Sequence, residues 1–198
     1  RGLGDVYKRQ VLLASGNGTN AANICRFFHK DNKVVIISVF TNNPLARVIE
    51  RVKEYGIRVE VFDKISFNKG DVLKTICYLN PDLIVLAGFL LKLGPDWIRA
   101  FPDKIINIHP ALLPKYGGKG MFGNYVHQAV KNNKEKETGI TIHYVNEDFD
   151  KGKILFQKKV KIDPDDTIEE IAFKIHRLEY VYFPKVIKKF LTNQVNEG

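Results

Sequence analysis

From residue 11 onward the chain alternates between short apolar segments and longer amphipathic segments, and this alternation limits the folds that it can adopt. Residues 34–40 (VVIISVF) and 82–87 (DLIVLA) are hydrophobic at nearly every position. A strand with apolar side chains on both faces is typical of a parallel sheet that helices cover. Strands are predicted at residues 11–15, 34–40, 58–62, 82–87 and 104–109, and helices at residues 20–29, 45–55, 72–79 and 95–100. We therefore predict an α/β fold with a Rossmann-like, mostly parallel sheet covered by helices on both faces.

The pattern changes toward the C-terminal end of the chain. Residues 138–145 (TGITIHYV) and 153–160 (KILFQKKV) are predicted as two strands separated by the turn-rich sequence NEDFDKG, and residues 167–191 as a long helix. The two strands predict an antiparallel C-terminal extension of the sheet. We expect a single domain over residues 11–198. Residues 1–10 (RGLGDVYKRQ) have no periodicity, so we expect them to be a fragment edge or foreign sequence.

Charge and cysteine content restrict the class of protein. The formal net charge of +9 fits a nucleic acid and small anionic ligands equally, and because acidic residues lie among the lysines a solvated surface is favoured over both. Cys25 and Cys77 have neither metal-site nor disulfide spacing, which favours a reducing cytoplasm and no bound metal. No apolar segment approaches the roughly 18 residues of a membrane span, so we expect no membrane association. A monomer and a homodimer both stay open.

A glycine-rich turn at residues 15–20 (SGNGTN) follows the first predicted strand and opens the first helix. Glycines let the backbone approach a ligand closely, and free amides at a helix start favour an anion. We favour a phosphate site, although any tight strand-to-helix turn also uses Gly and Asn. The letters GNGTNA also match the dinucleotide motif G-x-G-x-x-A, but residues 40–43 (FTNN) lack the acid that would hold a ribose. An NADP site, which does not need that acid, stays open.

The last predicted parallel strand ends in two polar side chains. Asn107 and His109 are two residues apart, so both project from one face, and Pro110 ends the strand pairing. Open α/β sheets bind ligands at the carboxyl ends of their strands, which favours a functional role for this pair over simple packing. Asp150, between the two C-terminal strands, is a third candidate, although Asp before Lys-Gly is also ordinary turn chemistry.

An Asn, a His and an Asp without a Ser or Cys nucleophile motif favour direct group transfer over covalent catalysis. The Asn107 amide can donate to a carbonyl oxygen as that oxygen gains charge, and a protonated His109 can do the same. A neighbouring carboxylate would raise the pKa of His109 and keep its ring charged. Thr141 and His143 share one face of the preceding strand and point either into the same cavity or into solvent. A non-catalytic nucleotide- or phosphate-binding module stays open as an alternative.

Four separated motifs together resemble one enzyme family. The motifs NIHPALLPKYGG, SGNGTN, DLIVLAGFLLKL and TGITIHYVNEDFDKGKIL occur in the order found in the phosphoribosylglycinamide formyltransferases, which are folate-dependent enzymes of purine biosynthesis. The resemblance runs from about residue 11 to the last helix. It implies transfer of a formyl group from the co-substrate 10-formyltetrahydrofolate to the amine of glycinamide ribonucleotide, with small-molecule substrates and no metal.

The resemblance also implies residue roles. Asn107 and His109 would polarise the formyl oxygen, and Asp150 would pair with His109 and help an ordered water carry the amine proton to the departing folate nitrogen. The ribonucleotide would be bound by Gly18, Thr19 and Asn20 at its phosphate and by Glu179 near its amine. The folate would be bound by Leu90, Leu91, Lys92, Leu93, Asn107, Asn146, Glu147, Asp148, Phe149 and Asp150.

The chain departs from the family pattern in several places. Many relatives carry an Arg within the segment after AGF, where this chain reads LLKL, and Lys69 is a weak substitute for a basic residue that some relatives use against the folate glutamate tail. The glycine-rich residues 117–128 form either a mobile lid or a simple loop.

Other formyl-group enzymes stay open as alternatives. Methionyl-tRNA formyltransferases resemble this domain with an added C-terminal RNA-binding module, and sugar-nucleotide formyltransferases share the Asn-x-His motif. Formyltetrahydrofolate deformylases have a second His where Pro110 stands and usually carry an N-terminal regulatory domain.

Overall fold

The computed structural model describes residues 7–193. The chain divides into two compact units, one formed by the residues up to Leu91 together with those from Pro184 onward, and one formed by Lys92–Phe183. Among residues 7–193, no helix combines the length and the apolar character that a membrane span requires.

The first unit contains four parallel strands. They are β1 (Lys8–Leu13), β2 (Val34–Thr41), β3 (Val59–Val61) and β4 (Leu83–Leu86), and they lie in the order β3-β2-β1-β4. The connecting helices are α1 (Thr19–Phe28), α2 (Val48–Lys53), α3 (Lys64–Asn68) and α4 (Asp71–Leu79). Strands β1 and β4 are buried along most of their length, as their continuous apolar runs predict.

Strand β1 begins at Lys8, three residues before the predicted start. Lys8 and Gln10 lie in register with Val34 and Ile36 of β2, so backbone pairing extends the strand through polar residues that sequence periodicity does not identify. Gln10 is fully buried, and neither its amide nitrogen nor its amide oxygen has a hydrogen-bond partner. The expectation that residues 1–10 are a fragment edge or foreign sequence stays a prediction, and residues 1–6 lie outside the described residues.

The second unit contains three antiparallel strands. They are β5 (Ile105–His109), β6 (Glu137–Tyr144) and β7 (Ile154–Lys161), with β6 paired to both of the others. Its helices are α5 (Pro95–Ala100), α6 (Asn124–Asn132) and the long α7 (Ile168–Asn193), which continues past Phe183 into the first unit. The hairpin of β6 and β7 is the predicted antiparallel extension, found within one residue of its expected bounds at each end.

Helix α6 occupies a segment that the sequence indicated as a lid or a loop. The glycine-rich part ends at Gly123, and the helix then buries Val126 and Val130 against Ala111. Four glycines in the preceding residues mask the apolar spacing of this short helix. Of residues 117–128, only the part before Asn124 is a loop.

Candidate active site

Strand β5 places Asn107 and His109 on one face at its carboxyl end, as predicted. Asn107 is directly opposite His143 in the antiparallel pairing with β6, and its Nδ2 lies 3.2 Å from His143 Nε2. His143 Nδ1 lies 2.9 Å from the Tyr144 carbonyl oxygen, so Nδ1 carries the proton and Nε2 accepts from the Asn107 amide. His143 therefore faces the site and fixes the orientation of the Asn107 amide.

The ring of His109 is held from one side by the backbone. Its Nε2 donates to the carbonyl oxygen of Tyr116 at 2.7 Å, while Nδ1 lies 3.6 Å from Oδ2 of Asp150. His109 is only 3% exposed. Because Nε2 is taken by the backbone, Nδ1 is the ring nitrogen that is available for chemistry.

Asp150 lies within reach of both imidazole rings. Its Oδ2 accepts from the Gly118 amide at 2.9 Å, and its Oδ1 lies 3.6 Å from His143 Nε2. Burial raises the pKa of this carboxyl, but the neighbouring His143 and His109 rings in their protonated forms, together with the Gly118 amide, outweigh burial and hold the pKa below its usual range. The carboxylate is therefore ionised at neutral pH.

The expectation that His109 is held charged is wrong for this structure. Burial lowers the pKa of His109 below its usual value, although the Asp150 carboxylate and the Tyr116 carbonyl act to raise it. Desolvation outweighs these two contacts because the ring is almost fully enclosed. His109 is therefore mainly neutral at neutral pH, and a new negative charge beside the ring would favour its protonation.

Thr141 has a structural position rather than a place in the site. Its hydroxyl donates to the Ala111 carbonyl at 2.7 Å and accepts from the Leu113 amide at 3.0 Å and from the Gln157 side chain at 2.9 Å. These bonds fix the turn that follows His109. Of the two open candidates on β6, His143 belongs to the polar cluster and Thr141 supports the backbone beside it.

The glycine turn of the first unit opens helix α1. Gly18 is the N-cap residue with φ of 72°, and Thr19 is the first residue of the helix. A Cβ atom on Gly18 would lie 2.4 Å from the Cβ of Val48, so close packing against α2 by itself requires a glycine here. Asn20 follows in the first turn, and Arg51 of α2 donates to the Asn17 side chain at 3.3 Å. A guanidinium thus lies beside the turn.

The residues expected to bind the folate differ in exposure. Leu90 is 54% exposed, and its amide donates to Ser15 Oγ at 2.9 Å, whereas Leu93 is 3% exposed and belongs to the core. The buried side chain of Leu93 is therefore unsuited to ligand contact. In the second unit, the Lys92 ammonium lies 5.5 Å from the centre of the half-exposed Phe149 ring. Leu91, between Leu90 and Lys92 in the sequence, is half-buried.

The other expected binding residues lie in the second unit. Asn146, Glu147 and Asp148 are exposed in the connection before Asp150, and the Asn146 side chain accepts from the Asp148 amide at 3.1 Å. Glu179 is buried on α7 with 8% exposure. Within residues 7–193, no group of three or more His, Cys, Asp or Glu side chains is arranged to hold a metal ion.

Sequence reasoning missed three contributors to these sites. The Tyr116 carbonyl and the Gly118 amide act through the backbone, which leaves no residue-type signal. Arg51 reaches the glycine turn from a different helix, so its proximity depends on how α2 packs. A signal did exist for His143, since its spacing of two from Thr141 placed both on one strand face.

The chain is similar to formyl transferases in sequence and structure. Residues 8–187 match the formyl transferase family model. The chain is 36% identical over 190 residues to phosphoribosylglycinamide formyltransferase from Bacillus subtilis, covering 93% of this chain and 95% of that protein. It is 32% identical over 187 residues to the enzyme of the same name from Escherichia coli, covering 91% of this chain and 85% of that protein.

Solved structures agree with these sequence matches. The phosphoribosylglycinamide formyltransferase from Anaplasma phagocytophilum superposes with a TM-score of 0.86 at 32% identity, covering 94% of this chain and 88% of that one. The enzyme from Bacillus halodurans gives 0.84 at 34% identity, covering 93% and 95%. The predicted fold class, a mostly parallel sheet flanked by helices with an antiparallel C-terminal extension, is thereby confirmed.

Proposed function

The chain belongs to the formyl transferase family, and we propose that it transfers a formyl group to the amine of glycinamide ribonucleotide through Asn107, His109 and Asp150. The formyl donor of this reaction is 10-formyltetrahydrofolate, which supplies the formyl group and a nitrogen that leaves. The matches to proteins named phosphoribosylglycinamide formyltransferase over nearly the whole chain support this reaction above deformylation or simple phosphate binding.

One observation carries the assignment of roles. The Asp150 carboxylate lies 3.6 Å from His109 Nδ1 and 3.6 Å from His143 Nε2, the nitrogen that holds the Asn107 amide, and Asn107, His109 and Asp150 are each fixed by a neighbouring contact. His143 fixes the amide at 3.2 Å, the Tyr116 carbonyl fixes the ring at 2.7 Å and the Gly118 amide fixes the carboxylate at 2.9 Å. Donors that are already oriented stabilise developing charge without reorganisation.

The donor set fits an acyl-transfer site. As the amine nitrogen bonds to the formyl carbon, the formyl oxygen gains negative charge, and the Asn107 amide can donate to it. His109 has the same task through Nδ1 once the ring is protonated. That proton is taken up from solvent before the transfer; the Asp150 carboxylate favours its uptake, and the negative oxygen stabilises the charged ring while the transfer proceeds.

The amine must lose a proton during the transfer, and the departing folate nitrogen must gain one. Asp150 is the group suited to this step because its carboxylate is ionised and has a free lone-pair direction besides the Gly118 bond. It accepts the amine proton, directly or through a water, and returns it as the carbon–nitrogen bond breaks. The transfer thus ends with Asp150 in its starting state.

Substrate binding is assigned to the remaining candidates. The amides at Gly18, Thr19 and Asn20 are suited to the ribonucleotide phosphate, because a helix N-terminus favours an anion. Glu179 is assigned to the ribonucleotide amine. The exposed Leu90 and the neighbouring Leu91 of the first unit are assigned to the flat pterin, and so are Lys92, Phe149 and the backbone of residues 146–150 in the second unit, whereas Leu93 contributes only as a core residue.

The direct test is formyl transfer from 10-formyltetrahydrofolate to glycinamide ribonucleotide with purified protein. We expect His109→Ala to lower kcat by about 10²–10³-fold, since one oxyanion donor is worth roughly that much. His29→Ala, at the exposed end of α1, is the control and should retain activity. Formate release that does not need the ribonucleotide would instead identify a deformylase, and full activity in His109→Ala would refute the assigned role.

A second test separates Asp150 from the oxyanion donors. Asp150 raises the pKa of His109, so Asp150→Asn should lower it and move the alkaline limit of kcat to lower pH. The same substitution should lower kcat because the proton acceptor is lost. An alkaline limit at the wild-type position would remove Asp150 from the support of His109.

We further propose that the protein acts in the cytoplasm as a monomer or homodimer on small molecules, without a nucleic-acid partner. Sedimentation velocity with and without ribonucleotide tests the assembly.

A further inference from the structure

We propose that Glu135 is a positioning residue for His109, acting through the Tyr116 side chain to hold the Tyr116 carbonyl on the His109 ring. The inference rests on the proposed function, since it assigns His109 a catalytic role. Glu135 lies between α6 and β6 and belongs to none of the sequence motifs discussed above.

The backbone at Tyr116 has an unusual conformation. Its φ is 57°, in the left-handed region that a residue with a side chain rarely adopts. This conformation accompanies the 2.7 Å contact between the Tyr116 carbonyl and His109 Nε2. Gly117 and Gly118 follow immediately, and on this side the chain is held by the Gly118 amide, which donates to Asp150 Oδ2 at 2.9 Å. A contact outside the backbone adds a second restraint on the carbonyl.

The side chain of Tyr116 provides that contact. Its hydroxyl donates to Oε1 of Glu135 at 2.8 Å, and the Lys115 ammonium lies 3.1 Å from the same oxygen. The Glu135 side chain is only 25% exposed, compared with 68% for Lys115. Hydrogen bonding to Tyr116, and then to Lys115, lowers the pKa of Glu135, so the acceptor is ionised at neutral pH.

Packing restrains the other end of the same side chain. Tyr116 packs against the cluster of Ala111, Val126 and Val130, which joins the turn after β5 to helix α6. The phenol ring is thus held by apolar contacts along its length and by a charged acceptor at its tip. Since the side chain and the carbonyl belong to one residue, fixing the first restrains the second.

The Tyr116 carbonyl controls both the orientation and the protonation of the His109 ring. The bond to Tyr116 keeps a proton on Nε2, sets the angle of the ring and raises the pKa of His109. Without the Glu135 acceptor, the Tyr116 side chain loses its charged partner, and the carbonyl is held less firmly on the ring. The pKa of His109 then falls further, and Nδ1 loses its fixed direction toward Asp150.

The experiment compares Glu135→Ala, Tyr116→Phe, the double variant and the conservative Glu135→Gln. We expect each single variant to lower kcat by about two- to tenfold, which corresponds to one hydrogen bond, with KM nearly unchanged. The alkaline limit of kcat should move to lower pH. The double variant should be no worse than either single variant, and Glu135→Gln should keep most of the activity because its amide oxygen still accepts from Tyr116.

Glu137→Ala is the matched control. Glu137 is two residues further along, and its ion pair with Lys159 at 2.7 Å joins β6 to β7 away from Tyr116. Its removal should leave kcat and the pH profile at the wild-type values. Wild-type kcat and an unmoved alkaline limit in folded Glu135→Ala and Tyr116→Phe would overturn the proposal, as would equal losses in Glu137→Ala.

A measurement without turnover separates this proposal from the proposed function. The imidazole ¹⁵N signals of His109 are titrated by NMR in the wild type and in Glu135→Ala, with His109→Gln to assign them. We expect the titration midpoint to move to lower pH in Glu135→Ala. If the midpoint moves in a protein that lacks formyl transfer, the contact is supported and the function is wrong. If transfer is present and the midpoint does not move, the positioning role is wrong.

Discussion

His127 is a buried, partly unsatisfied base whose removal should change how stability depends on pH. It lies on the inner face of α6 with 2% exposure, and its Nδ1 has no hydrogen-bond partner. Burial, and then repulsion by His176 and His109, lower the pKa of His127 from 6.5 to about 4. The folded protein therefore keeps this ring neutral at a pH where the unfolded chain protonates it.

The sign and size of the effect follow from proton linkage. Above about pH 6.5 the ring is neutral in both states, so His127 adds no pH dependence there. As the pH falls from 6.5 toward 4, the unfolded state gains a proton that the folded state excludes, and folding stability is lost. At pH 5 the loss amounts to about 2 kcal/mol, and it levels off below the folded pKa.

The substitution His127→Leu tests this reasoning because leucine fills similar space and does not titrate. Urea unfolding is followed by the fluorescence of Trp97 at about pH 7.5 and about pH 5. The measured quantity is the free energy of unfolding of the variant minus that of the wild type. We expect this difference to be about 2 kcal/mol larger at pH 5 than at pH 7.5. His109 and His176 titrate in both proteins, so their contributions largely cancel.

The control is Gln128→Leu, an exposed position beside His127 on the same helix. It should leave the difference between the two pH values as in the wild type. If His127→Leu and the wild type lose equal stability between the two pH values, His127 is not an excluded proton site, and the reasoning from burial is refuted.

Three further predictions concern the first unit. Gln10→Leu should raise the free energy of unfolding by about 1–3 kcal/mol, because it replaces a buried amide without partners, and a lower urea midpoint would contradict this. Gly18→Ala should destabilise the fold by more than about 1 kcal/mol, because Gly18 has a positive φ and a Cβ there would collide with Val48. Gly16→Ala is the control, since a Cβ on Gly16 meets open space, and thermal unfolding should show no loss of stability for it. Iodoacetamide should modify the exposed Cys77 in the folded protein but not the buried Cys25, because burial raises the pKa of the Cys25 thiol to about 12. Two adducts per molecule, found by mass spectrometry in the absence of urea, would refute this.

The sequence predicts the elements whose signal is local. Continuous apolar runs identify β2 and β4, and the start of α7 has a capping box in which Thr167 and Glu170 bond each other's backbone amides at 3.1 and 2.7 Å. A similar signal was present but unused at α3, where the Asp63 side chain accepts from the Ser66 amide at 2.7 Å. Helix α6 had only weak local signal, because its stability depends on packing against Ala111.

Sequence predicts the part of the site that depends only on the geometry of a single strand. The spacing of Asn107 and His109 places them on one face, whatever the rest of the chain does. The contacts that orient them depend on long-range pairing, since Asn107 meets His143 through the register of β5 and β6. The ionisation of His109 was mispredicted because burial, which opposes the carboxylate, cannot be read from residue types.

Asp150 is carried by the connection between β6 and β7, whereas its two imidazole partners are carried by strands. That connection has little freedom, since Asp150 has φ of 56° and a Cβ on Gly152 would lie 1.6 Å from the Tyr144 carbonyl oxygen. During divergence, an insertion or deletion there would remove the carboxylate from both rings and leave the architecture intact. Inactive descendants of this enzyme would thus still superpose closely on active ones, and the length of this one connection would distinguish them better than overall likeness.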